Sequence, residues 1–126
     1  MCVFNSDLKE ARISRSSFNG RVGFYNSGLD GISVETTAFI NQVYFRNINF
    51  SSAEILSSTF GKGVVFENAN FSDIRIASDF TDNVTFVDCV FSNGRIVRSN
   101  FQSVAFKNCS FQNIYWENAT FKEVKF

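Results

Sequence analysis

The stretch FKNCSFQNIYWENATFKEVKF, residues 106–126, decides the fold. An aromatic side chain returns at Phe106, Phe111, Trp116, Phe121 and Phe126, every fifth position. A helix turns about 100° per residue, so a step of five drifts around its surface, and strict strand alternation needs an even step. Working outward toward the N-terminus, the same step continues through Phe101, Ile96, Phe91 and Phe86. It then passes through Phe80, Ile76, Phe71, Phe66, Phe60, Ile55, Phe50, Phe45, Phe39, Val34, Leu29, Phe24, Phe18, Ile13 and Leu8. The steps ending at Phe24, Phe45, Phe66 and Phe86 are of six residues, and the step from Ile76 to Phe80 is of four.

The fives group into fours. Phe24, Phe45, Phe66, Phe86, Phe106 and Phe126 open blocks 21, 21, 20, 20 and 20 residues apart. Two positions before each stands a valine: Val22, Val43, Val64, Val84, Val104 and Val124. Two positions after them stand Asn26, Asn47, Asn68, Asp88 and Asn108. Another column of centres reads Ile13, Val34, Ile55, Ile76, Ile96 and Trp116. Internal periodicity on this scale is the mark of a solenoid in which each block is one coil and equivalent side chains stack. The large centres are expected to fill the axis, the smaller residues two positions earlier to fill the gaps, and the intervening residues to face water. All the six-residue steps fall at one corner, where an extra residue is absorbed without disturbing a packed face. The Asn column is expected to bond from coil to coil, with Asp88 interrupting it.

The quintets ANFSD, SDLKE, SSFNG, STFGK, SNFQS and CSFQN resemble the pentapeptide-repeat family, whose loose pattern is a small residue, Asp or Asn, Leu or Phe, then two polar residues. The resemblance runs from about Leu8 to Phe126. It implies an all-β, right-handed quadrilateral parallel β-helix, with residues 1–126 forming a single domain of about six coils of 20–21 residues. The chain departs from the commonest form in preferring Phe to Leu at the centres and Val to Ala before them.

Composition narrows the function. The 126 residues include 17 Phe, no Pro and no His, with 12 acidic and 12 basic residues. A neutral total speaks against a basic nucleic-acid binder and against a strongly acidic decoy, so no direct nucleic-acid binding is expected. No apolar run approaches the roughly 20 residues that span a bilayer, and MCVFNSDLKE lacks the basic and apolar regions of a secretory signal. No membrane insertion is expected, and the compartment stays open, with the cytoplasm favoured. Without His there is no Ser-His or Cys-His nucleophile pair. Cys2, Cys89 and Cys109 have no zinc-site spacing, and Cys89 and Cys109 are expected to stack inward as gap-filling residues. FGKGVVF lacks the full phosphate-loop pattern and reads as a corner, with Gly61 and Gly63 as turn residues and Lys62 at the tip. Five Asn-x-Ser/Thr sequons, at Asn49, Asn70, Asn83, Asn108 and Asn118, follow from the composition of the repeat itself. No catalytic residue, metal or cofactor is expected.

Two outward clusters are candidate contact surfaces. Arg75 and Arg95 hold equivalent positions in neighbouring coils, with Arg98 nearby and Glu54 one coil away, as an anion or acidic-partner site. Tyr25 and Tyr44, with Val65 and Val87, project around Arg46 and Glu67. The expected function is non-enzymatic binding of a protein partner. The Phe-rich style resembles the luminal segment of synaptic-vesicle glycoprotein transporters and the β-helical domains of some bacterial secreted effectors. The alternative is the quinolone-resistance group, whose resemblance to DNA implies binding to DNA gyrase. Ice binding would require regular Thr ranks, which are lacking. At the C-terminal coil, Phe111, Trp116, Phe121 and Phe126 are expected to be exposed beside unpaired strand backbone, an interface for a homo-oligomer formed end to end.

Overall fold

The computed structural model describes Met1–Phe126 and contains sixteen short strands, from Cys2–Phe4 to Thr120–Lys122, and no helix. No helix is therefore long and apolar enough to cross a membrane. Every strand pairing is parallel, and each residue faces the one a single coil later: Phe24 with Phe45, Phe45 with Phe66, Phe66 with Phe86, and Phe86 with Phe106. Parallel strands cannot be joined by a tight hairpin. Here the rest of each coil makes the crossover, and the chain winds into a four-sided solenoid of about six coils. We number the faces by their inward centres. Face 1 carries the Phe24 column, face 2 the column of Leu29, Phe50, Phe71, Phe91 and Phe111, face 3 the Ile55 column and face 4 the Phe60 column.

Every corner but one is made by a residue in the left-handed region. Twenty-four non-glycine residues have positive φ, among them Asn26, Asn47, Asn68, Asp88 and Asn108 at the corner after face 1. Asn and Asp tolerate this region because their short polar side chains bond locally. The six-residue steps appear where expected, between faces 4 and 1, and there two successive residues turn left-handed: Asn41 (φ 65) with Gln42 (φ 64), and Asp82 (φ 54) with Asn83 (φ 70). The two later coils turn that corner through Ser103 or Glu123 alone. One expected turn residue is displaced: Gly61 ends the strand Glu54–Gly61, and Lys62 (φ 57) and Gly63 (φ 86) form the turn. The four-residue step is a missing corner. Thr36, Ser57, Arg98 and Asn118 turn from face 3 to face 4 with positive φ, whereas the register slips between Ala77 and Asp79 with no such residue.

The axis is packed as the spacing predicts. Rings on face 1 stack nearly parallel from coil to coil, at 5.0 Å for Phe24–Phe45, 4.8 Å for Phe45–Phe66 and 4.7 Å for Phe66–Phe86. Rings on adjoining faces meet edge to face, as in Phe66–Phe71 at 5.6 Å and 67°. Both arrangements suit the aromatic quadrupole. Val22, Val43, Val64, Val84 and Val104 are buried between the Phe layers.

Face 4 fills the equivalent gap with hydroxyls. Thr37, Ser58, Ser78 and Ser99 are buried, and each accepts a backbone N–H from the preceding coil: Ser16 at 3.4 Å and Thr37, Ser58 and Ser78 at 3.1 Å. Thr37, Ser58 and Ser99 donate to the carbonyl two residues earlier. Ser78 donates instead to Ile55 O at 3.0 Å, because its coil lacks the corner residue. No buried side-chain nitrogen or oxygen is left without a partner. The Asn column bonds as expected, with Asn47 Nδ2 donating to Asn26 Oδ1, Asn68 to Asn47 and Asn108 to Asp88, each at 2.7 Å. Asp88 offers only acceptors toward Asn68, and the ladder breaks there.

Candidate functional site: the outward faces

Strand alternation turns two columns outward on each face. On face 3 one column runs Arg12, Ser33, Glu54, Arg75, Arg95 and Tyr115. Arg75 and Arg95 are therefore neighbours about 5 Å apart along the sheet, and like charges at that spacing repel by about 1 kcal/mol in water. Each finds its own relief. Arg75 pairs with Glu54 at 3.2 Å, and the Arg95 guanidinium lies 4.9 Å from the centre of the Tyr115 ring. The ion pair is more than half exposed on the Arg side, which limits its worth to about 0–1 kcal/mol. Tyr115 in turn donates its hydroxyl to Glu117 at 2.8 Å, and this hydrogen bond to a carboxylate raises the phenol pKa. Arg98 stands apart, at the corner, with φ 46 and no ion pair.

On face 1, Tyr25 and Tyr44 fall in different columns. Tyr25 aligns with Phe4 and Arg46, and Tyr44 aligns with Gly23 and Val65. Phe4, 57% exposed, stacks on Tyr25 with centroids 5.0 Å apart. The Tyr25 ring leans across Gly23, where any side chain would collide with it. Tyr44 is 43% exposed beside this pair, and Arg46 binds Glu67 at 3.2 Å. Phe4, Gly23 and Tyr115 are the contributors that the repeat reading passed over. Phe4 and Tyr115 sit at outward positions, and the available signal was an aromatic residue next in column to Tyr25 and to Arg95.

The remaining candidates separate clearly. Cys89 is buried, Cys109 half-buried, and both are free. Burial pushes the Cys89 thiol up to about 12 and raises Cys109 as well, the reverse of what activates a thiol. No group of three or more His, Cys, Asp or Glu residues converges. At the C-terminal coil, Phe111 is half-buried, while Trp116, Phe121 and Phe126 are exposed by 36%, 44% and 78%.

No protein-family model and no curated protein matches the chain. Among solved structures it is similar to Rfr23, a pentapeptide repeat protein from the cyanobacterium Cyanothece 51142. The TM-score is 0.51 at 11% identity, covering 96% of this chain and 84% of that one. Weaker likeness extends to a candidate glycosyl hydrolase from Parabacteroides merdae, with a TM-score of 0.40, 8% identity and coverage of 91% and 81%. QnrB1, a plasmid-mediated fluoroquinolone resistance protein, gives a TM-score of 0.28 and 10% identity, with coverage of 94% and 90%. Those two values are too low to bear on this chain, and at 11% identity the likeness to Rfr23 speaks to fold alone. Period, register, corners and this likeness agree: the chain has the pentapeptide-repeat fold, a four-sided parallel β-solenoid.

Proposed function

We propose that this chain is a non-enzymatic protein-binding solenoid, a stiff post whose outward columns meet a protein partner. The observation that carries this reading is the break in the outward ladders, where Phe4, Tyr25 and Tyr44 cluster on face 1 and Arg75, Arg95 and Tyr115 on face 3. Aromatic and Arg side chains contribute most per residue to protein interfaces. The inward stacks hold the fold together without them. The terminal coil extends the same reading, because Trp116, Phe121 and Phe126 present the apolar layer that each inner coil buries against its neighbour. In a polypeptide of these 126 residues alone, a second copy is the partner that surface suits. The DNA-like alternative needs an acidic face, whereas Glu54 and Glu67 are paired with Arg75 and Arg46.

The test uses two surface variants, Tyr25→Ser with Tyr44→Ser, and Arg75→Ser with Arg95→Ser. Both should melt close to the parent protein. Retention of a defined protein partner that one pair abolishes and the other spares supports the reading, and a partner held equally by both variants overturns it. Inhibition of DNA gyrase supercoiling would transfer the protein to the DNA-like class.

A further inference from the structure

The missing corner residue shapes the surface. Where the neighbouring coils bulge outward at Ser57 and Arg98, Ala77 passes straight to Ser78 and leaves a notch in the edge between faces 3 and 4. On the face-3 side its floor is apolar and half-buried, made by Leu56, Ala77 and Val97 from successive coils. Arg75 and Arg95 flank that floor, and Arg98 borders the depression on both sides of the corner. Three arginines thus line one short groove, with the Arg75 guanidinium on Glu54 and that of Arg95 over the Tyr115 ring. Arg75 is neutralised by Glu54, but Arg95 and Arg98 have no carboxylate within ion-pairing distance. Glu117, also on the rim, already accepts the Tyr115 hydroxyl, and Asp79, on the face-4 side, accepts a hydrogen bond from Asn100.

We propose that the notch at Ala77–Ser78 is a docking site for an extended acidic protein segment, with one carboxylate taken by Arg95 and Arg98. This deepens the protein-binding reading and rests on it. Charge complementarity selects the occupant: Arg95, held only by the Tyr115 ring, and Arg98 lack a carboxylate partner beside an apolar floor, which favours a carboxylate carried on a chain that also covers Leu56 and Val97. The segment crosses the corner where the wall is indented, so its backbone avoids the bulge that every complete coil would present. Asp79 directs the carboxylate to the face-3 side.

The test is fluorescence anisotropy with a fluorescein-labelled peptide of alternating Glu and Ser, beside its Gln counterpart. The Glu peptide should bind and the Gln peptide should not. Arg95→Ala and Arg98→Ala should each weaken binding about tenfold, and Arg21→Ala, at a distant corner, should leave it unchanged. Inserting Asn between Ala77 and Ser78 rebuilds the corner and should abolish binding. Ala77→Glu, which keeps the chain length and supplies its own carboxylate, should do the same if the insertion disturbs folding. Equal binding of both peptides, equal effects of Arg98→Ala and Arg21→Ala, or full affinity in Ala77→Glu would overturn the proposal. The notch would then fail alone, since the broader reading is tested separately by the Tyr25/Tyr44 and Arg75/Arg95 variants.

Discussion

Phe71 is 1% exposed and packs against the rings of Phe50 and Phe91 at 5.0 and 4.7 Å. Phe71→Ala would open a cavity that the neighbouring coils cannot close, because each is held in register by its own ladder. We expect a loss of about 3–5 kcal/mol in urea unfolding. Its neighbour Ser72 is half-buried, and its hydroxyl bonds only to other surface side chains, Asn70 and Ser92. Ser72→Ala should cost no more than about 1 kcal/mol, and comparable losses at both positions would contradict the register. The Cys89 thiol makes a pH-dependent contribution. Its folded pKa of about 12 exceeds the ordinary 9.0, so burial of the neutral thiol stabilises the fold fully below about pH 9. That contribution is lost as pH rises toward about 12. Cys89→Ala should therefore show a shallower alkaline fall in the urea midpoint than the parent, and parallel curves would contradict this account.

Corners and ladders set the energetics of each coil. Thr36 is an exposed β-branched residue at φ 51, a conformation that crowds its branched Cβ. Its backbone N–H still bonds to Leu56 O at 3.1 Å, and glycine retains that bond without the strain. Relief of roughly 1–3 kcal/mol outweighs the entropy penalty of glycine. Thr36→Gly is expected to raise stability by about 1 kcal/mol in a urea melt. The hydroxyl ladder of face 4 acts in the opposite sense. Ser58 accepts the buried Thr37 N–H and donates to Leu56 O, so Ser58→Ala strands the Thr37 N–H where water does not reach, while Leu56 O keeps the Thr36 N–H. A loss of about 1–3 kcal/mol is expected, larger than for alanine at the exposed end of the ladder, Ser16.

At the scale of the whole molecule, each coil buries one apolar layer against the next, and the last layer described has no coil above it. Phe111, Trp116, Phe121 and Phe126 form that layer beside an open parallel strand edge. A polypeptide of these 126 residues should associate end to end, with its light-scattering mass rising with concentration. Trp116→Lys places a charge on the layer and should reduce the rise. A monomer at every concentration, unaffected by the substitution, would refute self-association through this surface.

The period of five, the four faces, the Val column and the corner insertions were all legible from residues 106–126 outward. In a solenoid, equal spacing becomes direct contact, because equivalent positions lie one strand apart and the axis admits a single arrangement of the rings. The same logic exposed Arg75 beside Arg95, and it located the anomalous step before Phe80 without saying what that step would do. Outward side chains are under no such constraint. That Tyr25 leans over Gly23 against Phe4, that Arg95 lies on Tyr115, and that Gly61 stays in its strand depend on the space left by adjacent coils. The notch at Ala77 likewise exists only because two complete corners stand on either side of an incomplete one. Repetition along the chain determined the interior, and the three-dimensional apposition of unlike coils decided the surface.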